Sequence, residues 1–283
     1  MRVGRVSDGV DAYVAVERDG AWYPVAERGA SVLDVLDGVP AALAAEPLPE
    51  RYRPAVPLNP ARNVMCLGKN FRAHAAEFAA YAAEKETVPE HPIVFTKAPE
   101  ALCGAEDAIE VVRDVAASLD YEVELGVVIG CDGAAIPVEE APSHVAAYTV
   151  VNDVTARDVQ ERHRQWFLGK SLPRATPIGP ALVSADEVGD LGGLRITCHV
   201  NGELRQSARL GDMIFGVAET IALISKVVPL RRGDILSMGT PSGVGIGFTP
   251  PRFLTDGDTV ACGIEGVGEL RNTVRFVDSG RSR

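Results

Sequence analysis

From Asn63 onward, short apolar runs alternate with Gly, Pro and Asp: NVMCLG, PIVFTK, VELGVVIG, AYTVVND, LRITCHVNGEL and DTVACGIEGVGEL. Runs of this length bounded by turn formers predict strands, and so many of them predict a sheet-dominated domain. The chain opens in the same style with DAYVAVERDGAWYPV, where Arg18, Asp19 and Gly20 read as the turn of a hairpin. Between the two lies AALAAEPLPERYRPAVPLNPARN, which carries Pro47, Pro49, Pro54, Pro57 and Pro60. That density favours an extended linker over a packed element. The implied division is a small β-rich N-terminal domain with its linker over residues 1–60 and a main domain over 61–283.

Two stretches read as helices. TARDVQERHRQWF follows Asp153, and DMIFGVAETIALISKVV has Asp212 at its start and Pro229 past its end. In the second, Ile214, Val217, Ile221, Ile224 and Val228 form a stripe at helical spacing that reads as core.

Composition narrows the function classes. With 283 residues, 46% hydrophobic and 24% charged, the chain is an ordinary globular protein. Its formal net charge of −11 repels phosphate backbones and anionic lipid, which argues against nucleic acid as a partner. The five cysteines, Cys66, Cys103, Cys131, Cys198 and Cys262, show no metal or redox spacing and are expected to be buried thiols in a reducing cytoplasm. The opening MRVGRVSDGVDAY lacks the apolar stretch of a secretory signal and no run is long enough to span a bilayer, so the expectation is neither export nor membrane insertion.

The chemistry begins at LDYEVELGVVIG. On a strand, residues two apart share a face, so Glu122 and Glu124 project together. Adjacent carboxylates disfavour joint ionisation unless a cation or proton is shared, which is how oxygen-rich metal sites begin; the simpler alternative is a wet strand face. Asp153, at the end of the apolar AAYTVV run, adds a third carboxylate, or else caps the following helix. Three carboxylates suit Mg²⁺ or Mn²⁺ better than zinc. Arg157 and Gln160 share a face of that helix, and with Lys170 they offer a grip for a small anion. Arg162 and Arg164 read instead as solvated. In GKNFRAHAAEFAAYAAEK, His74 and Glu77 are one helical turn apart, spaced for a base oriented by a carboxylate or for an ordinary surface pair. The glycines of SMGTPSGVGIGFTPP leave backbone amides open to a ligand or simply form a turn, and their spacing is not a dinucleotide fingerprint.

Taken together, LGKNFRAHAAE, PIVFTKAPEALCG, LDYEVELGVVIG, YTVVNDVTARDVQ, QWFLGKS, PIGP and GTPSGVG resemble, in this order, the fumarylacetoacetate hydrolase family over roughly residues 61–276. The resemblance implies an α+β, mostly β fold, with a multi-layer mixed β-sheet core of β-roll type, few helices and a homodimeric assembly. It implies Glu122, Glu124 and Asp153 as ligands of Mg²⁺ or Mn²⁺, Arg157, Gln160, Thr240 and Lys170 near substrate, and His74 with Glu77 as the H-x-x-E dyad of members that hydrolyse or decarboxylate oxo acids. Three departures bear on substrate identity. No Asp lies between Arg62 and Phe78; Lys69 and Phe71 stand where an aliphatic residue and Tyr are usual; and GKS continues as Leu172 and Pro173 rather than Phe and Asp.

The activity implied is a divalent-metal-dependent hydrolase that cleaves a C–C bond in a 2,4-dioxo acid, such as an acylpyruvate or fumarylpyruvate, through an enolate held at the metal. In that reaction His74 activates water and Lys170 acts at the carboxylate. The same site suits decarboxylation of an oxaloacetate-like acid or isomerisation of a 2-hydroxy-dienedioate. An oxo-acid-binding protein without turnover is the alternative of another class.

Overall fold

The apolar runs become strands of two mixed sheets packed face to face, seen in a computed structural model that describes residues 1–27, 29–39, 42–82 and 88–279. The fold is α+β and mostly β. The larger sheet has, in order across its main path, Ala21–Pro24, Ala12–Arg18, Arg2–Ser7, Thr176–Ser184, Val145–Asn152, Val123–Ile129, Ile235–Ser237, Val64–Gly68 and Ile93–Lys97. The smaller runs Glu203–Arg209, Arg195–Val200, Thr259–Ile264, Gly268–Val277 and Ile109–Val112. The strands Val145–Asn152 and Thr176–Ser184 lie against Gly268–Val277, and one apolar core fills the space between the sheets. Among the described residues no helix is long and apolar enough to cross a membrane.

The N-terminal hairpin forms as its sequence indicates. Arg18 pairs with Ala21, and the two turn residues Asp19 and Gly20 both have positive φ, 51° and 78°, the conformation that matches strand twist in a two-residue loop. This segment extends the larger sheet through the pairs Arg2–Val183 and Val3–Leu182. Val123–Ile129 sits at the centre, buried at every position, which explains its near-continuous apolar sequence and excludes a wet strand face around Glu124.

The helices depart from the sequence reading. Thr155–Ala156 is a short strand paired with Leu119–Asp120, so the helix after Asp153 begins only at Arg157, with Ala156 at its cap position. Asp153 is therefore not a helix cap. The helix ends at His163, Arg164 adopts φ 59°, and a second short helix, Phe167–Lys170, follows. Downstream, the helix is Val217–Ser225, where the Glu219 carboxylate accepts from the Gly216 N–H at 3.0 Å; Asp212 instead accepts from the Arg209 N–H at 2.9 Å and closes a preceding turn. Ile221 and Ile224 of the stripe are buried, but Val228 lies beyond the helix and is exposed. Four cysteines are buried as expected, and Cys131 is exposed beside His144. His74 and Glu77 lie on the helix Arg72–Ala82, whose Ala-rich run continues over 83–85, outside the described residues.

Candidate metal and oxo-acid site

Antiparallel pairing decides where the carboxylates meet. Val123 pairs with Asn152 and Glu124 with Val151, so the start of one strand lies beside the end of the next, and the Asp153 N–H donates to the Glu122 carbonyl at 2.8 Å. Glu122 and Glu124 flank Val123 on one face, and one ligand oxygen each of Glu122, Glu124 and Asp153 lies within 4.8 Å of the others. All three side chains are buried. The donors are all carboxylate oxygen, with no sulfur or nitrogen, which is the set that Mg²⁺ and Mn²⁺ prefer.

The cations named from sequence converge on the same point. Lys170 Nζ lies 2.8 Å from Glu122 Oε2 and 2.6 Å from Asp153 Oδ2. Arg157 donates to Glu122 Oε1 at 2.5 Å and to Gln160 Oε1 at 3.2 Å. Thr240 Oγ1 donates to the Val123 carbonyl at 2.9 Å, which ties its loop to the Glu122–Glu124 segment. His74 is buried, with Nδ1 3.2 Å from Glu77 Oε2, and Glu77 Oε1 accepts from the Gly243 N–H at 3.0 Å. The dyad is thus clamped to the GTPSGVG loop and is not a surface pair. Arg162 and Arg164 are exposed, as read from sequence.

Two further buried groups complete the cluster. Lys97 Nζ lies 2.6 Å from Asp153 Oδ1 and 3.1 Å from the Val154 carbonyl. Asp120 accepts from Arg157 Nε at 2.9 Å and from the N–H groups of Gly245 and Ile246 at 2.7 and 3.1 Å. Both lie inside the motifs PIVFTK and LDYEVE, where a lone Lys closing an apolar run and an Asp two residues before the first Glu were the available signals. In the glycine-rich loop, read from sequence as either a turn or a place where amides meet a ligand, the amides of Gly239, Gly243 and Gly245 donate to Glu124, Glu77 and Asp120, so these three fix site carboxylates.

The charges are unequal in a telling way. Burial alone would raise the pKa of Glu122, but Lys170 and Arg157 outweigh it and hold the carboxyl down at about 2. Burial, followed by Asp153 and Glu122, pushes Glu124 up to about 8 despite hydrogen bonds from Ser237 Oγ and the Gly239 N–H at 2.6 and 2.9 Å. Burial opposes the charge on Lys170, yet Asp153 and Glu122 raise its pKa, so it stays an ammonium. One carboxylate is left short of positive charge, the condition a divalent cation satisfies.

Glu122, Glu124, Arg157 and Lys170 of this cluster line a small pocket together with Lys69, His74, Phe95, Gln160 and Trp166. Of the nine residues named from sequence as site groups, Glu122, Glu124, Asp153 and Lys170 meet around one point; Arg157, Gln160, Thr240 and His74 line the same pocket as Glu122, Glu124 and Lys170, and Glu77 contacts His74.

Residues 63–275 match the family model described as fumarylacetoacetate (FAA) hydrolase C-terminal. The chain is 48% identical over 215 residues to the oxaloacetate tautomerase YisK of Bacillus subtilis, covering 76% of this chain and 70% of that protein. It is 40% identical over 252 residues to the mitochondrial oxaloacetate tautomerase Fahd2a of Rattus norvegicus, covering 88% of this chain and 77% of that one. Among solved structures, the fumarylacetoacetate hydrolase of Exiguobacterium antarcticum superposes with a TM-score of 0.86 at 37% identity, covering 98% of this chain and all of that one at 100%.

Proposed function

Because the chain belongs to the fumarylacetoacetate hydrolase family, we propose that it interconverts the keto and enol forms of a small 2-oxo dicarboxylate of the oxaloacetate type. In this reading Glu122, Glu124 and Asp153 hold Mg²⁺ or Mn²⁺. The observation that carries the proposal is the convergence of three buried carboxylate oxygens within 4.8 Å, beside a small pocket that Glu122 and Glu124 line. The two relatives named as oxaloacetate tautomerases support the choice of reaction.

When bound, such an ion supplies Lewis acidity that stabilises negative charge on a neighbouring oxygen. The chain's own groups supply the proton transfers. A hydrogen on His74 Nδ1 directed at Glu77 leaves Nε2 as the basic ring nitrogen. In the keto-to-enol direction Nε2 takes the proton from C3, and the C–H electron pair becomes the C2–C3 double bond as the carbonyl pair moves to oxygen. The Lys170 ammonium, fixed by Glu122 and Asp153, donates a hydrogen bond to that oxygen, and solvent supplies the proton that completes the enol. Loss of the His74 proton to solvent restores the site. Arg157 and Gln160 orient the substrate carboxylate.

The second reading is C–C hydrolysis of a 2,4-dioxo acid, and the buried His74–Glu77 dyad favours it, because the same nitrogen is placed to deprotonate water. The proposal also takes the chain as a cytoplasmic homodimer. Following the enol absorbance of oxaloacetate, with an acylpyruvate panel in parallel, separates the two reactions. Acceleration of enol loss that Glu124→Gln abolishes supports the tautomerase. Acylpyruvate cleavage with no effect on oxaloacetate refutes it.

A further inference from the structure

Beside its charged groups the pocket has an apolar side. The last strand of the larger sheet, Ile93–Lys97, pairs with Val64–Gly68 so that Cys66 faces Phe95 and Gly68 faces Ile93. Phe95 and Gly68 both line the pocket, and Trp166 joins them from the turn between the helices Arg157–His163 and Phe167–Lys170. Contacts on two sides locate its indole. Phe95 meets it edge to face, with ring centroids 5.2 Å apart. A Cβ on Gly68 would lie 2.4 and 2.8 Å from the indole carbons Cζ3 and Cη2, so only a residue without a side chain lets the six-membered ring rest on that backbone. The main chain of Trp166 is held as well: its carbonyl accepts from the Lys170 N–H at 3.0 Å.

The same rings reach the reacting groups. The Lys170 ammonium lies 5.0 Å from the centroid of the Phe95 ring, the ring that also touches the indole. In the proposed reaction the carboxylate and carbonyl of the oxo acid belong to Arg157, Lys170 and the acidic triad, which leaves the tail to the uncharged surface of Phe95, Gly68 and Trp166. A ring packed on both sides yields little to an oversized ligand, because close-packed surfaces resist added volume. We propose that Trp166 determines specificity by tail size, admitting 2-oxo acids with a small group on C3 and rejecting those with a bulky one. This rests on the tautomerase reading and adds a size limit to it.

Exchange of the C3 hydrogens for deuterium, followed by proton NMR, reads enolisation of any 2-oxo acid. The test compares 2-oxobutanoate with phenylpyruvate, two monoanions that carry a methyl and a phenyl group on C3, in the Mn²⁺-loaded wild type, Trp166→Ala and Trp166→Phe. A pocket too small by one methylene discriminates by roughly 10- to 200-fold. In Trp166→Ala, kcat/KM for phenylpyruvate should rise, and by about that factor relative to 2-oxobutanoate, and Trp166→Phe should return most of the discrimination. A gain on the larger substrate is not an effect that loss of structure produces. A ratio within about threefold of the wild type in Trp166→Ala, or one that rises only because 2-oxobutanoate reacts more slowly, overturns the proposal. Where the wild type exchanges neither acid, calorimetric binding of the pair to the same proteins decides: tighter phenylpyruvate binding in Trp166→Ala upholds the proposal, and no gain, or no binding to either protein, overturns it. A wild type that also fails to accelerate enol loss from oxaloacetate refutes the tautomerase reading, and the binding result still decides Trp166 separately.

Discussion

Glu124 should release a proton when a divalent cation binds. Its carboxyl is pushed up to about 8, first by burial and then by Asp153 and Glu122, so in the metal-free protein it is mostly protonated at neutral pH. An ion requires the carboxylate, and binding is therefore coupled to deprotonation. Below about pH 8 the apparent affinity for Mn²⁺ should fall about tenfold per pH unit, reaching roughly 100-fold by pH 6, and above that range it should level off. The linkage to stability has the matching sign. A carboxyl whose folded pKa exceeds its unfolded value destabilises the metal-free fold progressively as pH rises through the interval between the two, here from about 4.5 to about 8. Bound cation should abolish that loss. Calorimetry of Mn²⁺ binding in two buffers of different ionisation enthalpy reads the proton directly: about one released at pH 6.5 in the wild type and none from this position in Glu124→Gln. A pH-independent affinity between 6 and 8, with no proton released, would refute the reasoning.

Other perturbations follow from the same geometry. His74→Ala should lower kcat by about 10²- to 10⁴-fold while leaving Mn²⁺ affinity within about threefold, because the imidazole is not among the converging oxygen donors. Lys97→Met leaves Asp153 Oδ1 without its buried partner and should destabilise the metal-free protein by about 3 kcal/mol in urea unfolding, with much of the loss recovered by Mn²⁺. Glu122, held down at about 2 by Lys170 and Arg157 against its burial, contributes stability that is complete above its unfolded pKa and is lost as pH falls towards 2. Glu122→Gln should flatten that acid limb in thermal melts between pH 5 and 2, and an unchanged slope would contradict the assignment.

How much of this was legible from sequence depended on the distance over which each feature is decided. Strands such as Val64–Gly68 and Val123–Ile129 were readable because short, mostly apolar runs bounded by turn-forming residues settle them. The helix after Asp153 was not. Gly169 packs so closely on Gln160 that a Cβ would lie 2.7 Å from its backbone nitrogen, and this contact between two short helices accompanies the turn at Arg164. Residue type and spacing identified Glu122, Glu124 and Asp153 as candidates for one site, and the Ala-rich setting of His74 concealed its burial. Asp120 and Lys97 were missed because their partners are remote: Asp120 meets the amide of Gly245, 125 positions away, and Lys97 meets Asp153, 56 away. No local pattern reports a pairing of that range.

A crystal grown with Mn²⁺ and measured for anomalous scattering tests the central claim most directly. The account expects one strong peak in contact with an oxygen from each of Glu122, Glu124 and Asp153, lost in Glu124→Gln. A peak elsewhere, or none at saturating Mn²⁺, would contradict it.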